Sequence, residues 1–146
     1  MDFELIFSLS NLLVLPFWFL MIALPHWSWT KRIISSSWIV APVALLYVVL
    51  VLPQAGGLLL SLANPSLDGI AGLIGTPAGA TIGWAHFLAF DLFVGRWAYL
   101  DSRKREISAW VMAPILFFVL MLGPVGFLAY LVVRMASERL FSAETN

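Results

Sequence analysis

Four apolar runs, each about as long as a bilayer requires, limit what this chain can become. A helix of about 20 residues crosses a hydrocarbon core roughly 30 Å thick. The runs are Leu5–Leu24, closed by Pro25, and Ile33–Leu52, closed by Pro53. Pro77–Leu100 follows, with Thr76 as N-cap and Pro77 at the first helical position, and then Ala109–Val133. Lipid offers a backbone no hydrogen bonds, so such runs must be helices. A soluble core is excluded by composition: 62% of the 146 residues are hydrophobic and 11% are charged. Soluble domains sit near ~45–50% and ~25%. The expectation is an all-α integral membrane protein with four transmembrane helices at about 5–24, 33–52, 77–100 and 109–133, in one membrane domain over 1–146.

The stretch 53–75 fits neither a water loop nor a span. It is apolar, yet Gly56, Gly57, Pro65, Gly69 and Gly72 interrupt it. It reads as an interfacial or re-entrant segment, with Asn64 and Pro65 as cap and first turn of a short helix at 65–74. The alternative is a second helix running on to about residue 62. Gly123, Pro124 and Gly126 predict a kink in the fourth run, and Pro16 and Pro42 predict bends in the first two. Gly75, Gly79 and Gly83 form a small-residue ridge suited to close helix contact, or to a homo-oligomer. The polar tail 135–146 is expected to fray.

Positive charge orients the chain. Lys31, Arg32, Arg96, Arg103, Lys104 and Arg105 fall in or beside the first and third connectors; Arg134 and Arg139 lie in the tail. The positive-inside rule then puts those two connectors in the cytoplasm and both termini on the other side, in a plasma or thylakoid membrane. A leading Asp2 and Glu4 do not suit a secretory signal, and no Arg- and Ser-rich transit segment precedes the first run. Formal charge is zero, so nothing points to nucleic acid. With no cysteine and two histidines, disulfides, thiolate metal sites and histidine-box di-iron chemistry are excluded.

The costly residues stand between Trp84 and Arg96, where His86, Asp91 and Arg96 interrupt an apolar run. Helical periodicity puts His86 and Asp91 roughly 140° apart, so they are not a pair on one face. Asp91 reads either as structural, in an ion pair with Arg96, Arg32 or Arg105 or in a helix–helix hydrogen bond, or as a buried carboxyl usable as acid or base. His86 reads either as a neutral bridge between helices or as a proton shuttle, general base or tetrapyrrole ligand. No metal-ligand spacing accompanies it. Asn11 is suited to a hydrogen bond across to the third helix. Arg96 is placed to snorkel to headgroups, and 101–106 reads as a solvated charged hairpin.

The run from Gly83 to Trp97, followed by Asp101 and Arg103, resembles the core signature of a small membrane family. That family is named after the plant abscisic-acid-deficient-four protein and is often called neoxanthin synthase-like. Gly123–Tyr130 with Arg134 looks like its second signature, and Phe7–Pro16 with Asn11 a weaker one. The resemblance covers about residues 4–134. Without a transit peptide, the chain looks like a bacterial, cyanobacterial member.

The resemblance implies carotenoid biosynthesis: isomerisation of the xanthophyll epoxide violaxanthin to the allene neoxanthin, on the pathway towards abscisic acid. Such a step needs an acid and a base but no electrons, hence no cofactor. His86 and Asp91 become the candidate catalytic residues. Asn11, Trp84, Phe87, Phe90, Arg96, Asp101 and Arg103 become candidate binding residues, with Phe93 and Trp97 extending an aromatic groove. Two other functions stand beside it. One is a non-catalytic pigment- or lipid-binding or assembly protein of a photosynthetic membrane. The other is a small proton-coupled transporter.

Overall fold

The structure is a computed structural model. It describes the backbone of residues 2–144 and the side chains of 2–138; Met1, the charge of Arg139 and the last residues of the polar tail lie outside the described residues. Every regular element among them is helical. In order they are α1 (Phe3–Ala23), α2 (Ser28–Ser35), α3 (Ala41–Val51), α4 (Ala55–Ala63), α5 (Leu67–Ile74), α6 (Pro77–Lys104) and α7 (Ala109–Glu144), with 3-10 turns at Ser37–Val40 and Leu52–Gln54. Four stretches are long and apolar enough to cross a membrane: Phe3–Ala23, Ser37–Ala63, Pro77–Lys104 and Ala109–Glu138. The protein is therefore an integral membrane protein whose apolar helices suit a lipid bilayer.

The second stretch differs from the sequence expectation at both ends. Residues 33–35 belong to the separate helix α2, which stops at Ser36 in extended backbone. At its other end the helical path runs through Pro53 to Ala63, as the longer alternative held. Pro53 lies in the first turn of a 3-10 segment, where a missing N–H is tolerated. The Gln54 side chain donates to the Leu50 carbonyl at 3.1 Å, helping to satisfy the tightened turn. Glycines 56 and 57 do not break the helix, because backbone in lipid gains more from internal hydrogen bonds than it loses to glycine's freedom. The segment expected at 53–75 thus shrinks to Asn64–Ser66 and the short helix α5. Its cap is Ser66, whose hydroxyl accepts from Gly69 N at 3.1 Å, and not Asn64. Pro42 sits in the first turn of α3, where the path passes from the 3-10 turn Ser37–Val40 into α-helix.

The chain divides into two compact units, one of residues 1–14 and 40–89 and the other of 15–39 and 90–146. In the first, Leu50, Ile82 and Ala85 form a buried core packed by Phe3, Ile6, Leu46, Tyr47 and Val51. The start of α6 is capped as expected, with Gly79 N donating to Thr76 Oγ1 at 3.0 Å. The glycine ridge is a close contact at Gly79, where a Cβ would strike the backbone carbonyl of Leu73 in α5, but not at Gly83, where a Cβ would meet open space.

The second unit holds α2, the carboxyl half of α6 and α7. Its fully buried large side chains include Trp18, Met21, Ile34, Leu92, Tyr99, Leu116, Val119 and Tyr130. Gly95 is required here, since a Cβ would collide with the ring of Trp18. α6 ends at Glu106 in the left-handed region (φ 55°), with Ile107 N donating back to Ser102 O at 3.0 Å. That is a Schellman stop, and Ile107 is buried.

α7 is not one rod. Leu122 and Gly123 have non-helical backbone. The expected kink is in fact a reversal: a Cβ on Gly126 would land on the backbone of Phe118 and Val119, so the chain doubles back beside itself. After the turn, successive levels of α7 meet successive levels of α6 in the same direction. Gly123 meets Asp91, Phe127 meets Trp97, and Glu138 meets Arg105.

Two substitutions test this packing. Glu106→Gly relieves a side chain held at positive φ and raises stability by roughly 0.5–1 kcal/mol. Gly95→Val forces the Trp18 ring aside and lowers it by roughly 1–3 kcal/mol. Thermal unfolding in detergent reads both.

Candidate functional site

The first unit holds Asn11, Trp84, His86 and Phe87. The cross-helix bond expected of Asn11 is present: Trp84 Nε1 donates to Asn11 Oδ1 at 3.1 Å, while Asn11 Nδ2 donates to Phe7 O at 2.9 Å. The ring of Phe7 lies 5.2 Å from that of Trp84. Asn11 is thereby committed to joining α1 to α6. His86 is exposed on its helix, with its ring 5.5 Å from Tyr47 and 6.2 Å from Phe87. Tyr47 belongs to α3, so the ring of His86 meets a second helix at the exposed side of α6. Phe87 is more than half exposed, and so, in the second unit, are Phe90 and Phe93.

The second unit holds Phe90, Asp91, Arg96, Asp101 and Arg103. Arg96 does not snorkel away from the protein. Its Nε donates to Ile34 O at 2.8 Å and Ser36 O at 3.2 Å, and its Nη2 donates to Ser35 O at 2.5 Å. The last carbonyls of a helix have no intrahelical partner, and a guanidinium fork suits them in both geometry and charge. Arg96 is thus the C-terminal cap of α2, and α2 stops where the fork reaches. The turn after α1 is tied in the same way. Tyr99 Oη donates to Pro25 O and Thr30 Oγ1 to Leu24 O, each at 2.8 Å, and Arg103 Nη2 lies 3.2 Å from His26 Nδ1.

Asp101 is not part of a solvated hairpin. Its side chain is 19% exposed and gathers three partners. Tyr130 Oη donates to Asp101 Oδ2 at 2.6 Å and Arg105 Nε donates to it at 2.8 Å. Arg134 Nε stands 3.2 Å from the same oxygen, an ion pair without hydrogen-bond alignment. Glu138 closes the network at 2.8 Å from Arg105 Nη1. The hydrogen bond to Asp101 raises Arg105 further above its ordinary range, so it stays charged. Trp97 joins this polar group to an apolar one. Its ring packs edge-on to Tyr130 at 5.4 Å, under the Arg134 guanidinium at 5.6 Å, and 5.8 Å from Phe127.

On its other side Trp97 lines a cavity of about 240 Å³ with Phe93, Val94 and Phe127. Asp91 lies one helical turn before Val94, and Gly123 one turn before Phe127. The half-buried Asp91 carboxyl rests against Gly123, where any Cβ would collide with Oδ1. None of the expected arginines reaches it: Arg96 is spent on α2, Arg105 on Asp101 and Glu138, and Arg32 stacks on Trp29 at 5.2 Å. The unit therefore offers a carboxyl at the α7 turn, an apolar aromatic cavity one turn on, and a tyrosine–carboxylate–arginine network beyond it.

Sequence reasoning missed Tyr130, Arg134, Arg105 and Glu138 as site residues. The signal is present: Phe127, Tyr130, Arg134 and Glu138 recur at helical spacing on one face of α7. Among the described residues no cluster of histidines and carboxylates could hold a metal ion.

Substitutions separate the roles. Arg96→Met strips three carbonyls of their donor and lowers stability by roughly 1–3 kcal/mol, and Arg96→Lys restores only part of this because an ammonium cannot span the fork. Asp101→Asn and Arg134→Met each destabilise, and combined they lose less than the sum of the two, since the second change removes a partner already lost. Unfolding midpoints of these variants decide both points.

Comparisons with curated proteins and with solved structures find no match. The family model described as ABA DEFICIENT 4-like does match, over residues 5–130. Its span takes in the Asn11–Trp84 bond, Asp91, the aromatic cavity, Asp101 and Tyr130. This chain belongs to the ABA DEFICIENT 4-like family.

Proposed function

We propose that this membrane protein belongs to xanthophyll metabolism and isomerises a xanthophyll epoxide to an allene, with Asp91 moving the proton. The observation that carries the reading is Asp91 itself: a carboxyl in an apolar helix, held against Gly123 and one turn from a cavity lined by Phe93, Val94, Trp97 and Phe127. Charged groups at bilayer depth are costly and are retained where they pair or work. Among the described residues no arginine forms an ion pair with Asp91.

The chemistry suits one carboxyl. The epoxide C–O bond breaks at the ring carbon next to the polyene, and the oxygen takes a proton and stays on the neighbouring carbon as a hydroxyl. A C–H bond on the adjacent polyene carbon breaks, and its electron pair becomes the new double bond. One proton is delivered and one is taken. A carboxyl that gives from one oxygen and accepts on the other ends as it began, with no oxidant, reductant or cofactor. The cavity is too small for a whole carotenoid, but its volume suits one substituted six-membered end ring. The exposed Phe90 and Phe93 would then lie along the polyene. His86, exposed on the first unit, is the second candidate for proton transfer.

A pigment-binding role without turnover is favoured by the exposed aromatic rings of Phe87, Phe90 and Phe93. Expression in a host that accumulates violaxanthin distinguishes the readings. The enzyme reading expects the allenic product to appear and Asp91→Asn to reduce it at least 100-fold with the fold intact, as loss of a general acid–base does. His86→Gln measures the histidine's share. Pigment that copurifies unchanged with both the native chain and Asp91→Asn would support binding alone. Unaltered, unbound pigment would end both readings.

A further inference from the structure

We infer that residues 109–138 form a re-entrant helical hairpin, entering and leaving on the face that holds the 101–106 connector, with its Gly123 tip beside Asp91 at mid-depth. The chain would then cross the bilayer three times, and its C-terminal end would lie opposite its N-terminus. Three independent observations lead there.

The first is register. Two helices joined by the short turn 105–108 must start antiparallel. Yet Gly123 meets Asp91, Tyr130 and Arg134 meet Asp101, and Glu138 meets Arg105. From Asp91 to Arg105 on α6 is about 21 Å at ~1.5 Å per residue, and from Gly123 to Glu138 on α7 is about 22 Å. The two segments run in parallel with matched rise. The arm 109–121, about 20 Å long, fits the outward leg between the same two levels and falls short of a core near 30 Å. A straight helix over 109–138 would carry Arg134 to the far face, beyond reach of Asp101.

The second is the turn. Leu122 and Gly123 leave helical geometry, and Gly126 packs against the backbone of Phe118 and Val119. Non-helical backbone at membrane depth is tolerated where protein covers it. Gly123 and Gly126 are both buried. Asp91 lies near the midpoint of the 28-residue α6, so the tip sits near the middle of that helix.

The third is charge. With a fourth crossing, Arg134 would sit on the face of the N-terminus. With a hairpin, Arg134 joins Lys31, Arg32, Arg96, Arg103, Lys104 and Arg105 on one face, and among the described residues the N-terminal face keeps the acidic Asp2, Glu4 and Asp68. The positive-inside rule then reads without exception and puts the C-terminal end in the cytoplasm with the 101–106 connector.

The native chain has no cysteine, so single cysteines report cleanly. Three variants suffice: Asp2→Cys, Lys104→Cys, and a cysteine appended after Asn146. All lie at polar ends outside the packed cores. Each is treated with a membrane-impermeant maleimide in sealed right-side-out and inside-out vesicles. The hairpin expects the appended cysteine to react in the same vesicle orientation as Lys104→Cys, and Asp2→Cys in the opposite one. An appended cysteine that reacts together with Asp2→Cys, opposite Lys104→Cys, overturns the proposal. A reporter domain fused at the C-terminus locates that end without any substitution in the chain.

Discussion

Helix ends need partners, and lipid supplies none. That constraint organises this protein. The carbonyls of residues 34–36, at the end of α2, accept from the Arg96 fork. The carbonyls of Leu24 and Pro25 lie just past the end of α1 and accept from Thr30 and Tyr99. Thr76 covers the start of α6, and Ser102 accepts from Ile107 at its close. Of the polar side chains that stand out in the apolar sequence, Arg96 proves to serve a helix end, as Thr30, Tyr99 and Thr76 do beside it.

Asp91 and Asp101 stand apart from that pattern. Asp101 holds charge against charge, where α7 returns beside α6. Its network binds two stretches of sequence 29 residues apart through the Tyr130 hydroxyl. Asp91 meets a glycine at a chain reversal, with an apolar cavity one turn away. A structural carboxylate and a candidate working one thus sit on the same helix, distinguished by whether a cation reaches them.

Several elements are legible in the chain alone. Apolar run length predicts four membrane-length helices, Thr76 and Pro77 predict the start of α6, and the Asn11 amide predicts a bond to the third helix. The points where the structure departs from expectation share a cause. Pro53 and the glycines at 56 and 57 look like breaks, because turn chemistry learned in water overstates them in lipid. Arg96 looks interfacial because the sequence does not show that α2 ends beside it. The segment 101–106 looks solvated because its partners, Tyr130, Arg134 and Glu138, lie far along the chain.

Local chemistry is enough to set the environment, the helical class and the short list of polar residues that lipid would not tolerate without reason. Those follow from run length, hydropathy and the energy of burying charge, none of which needs a partner. Which polar groups are spent on helix ends, which carboxylate has cations, and that α7 turns back at Gly123 emerge only in three dimensions. These depend on contacts between residues distant in the chain, and a one-dimensional pattern of hydropathy carries no record of them.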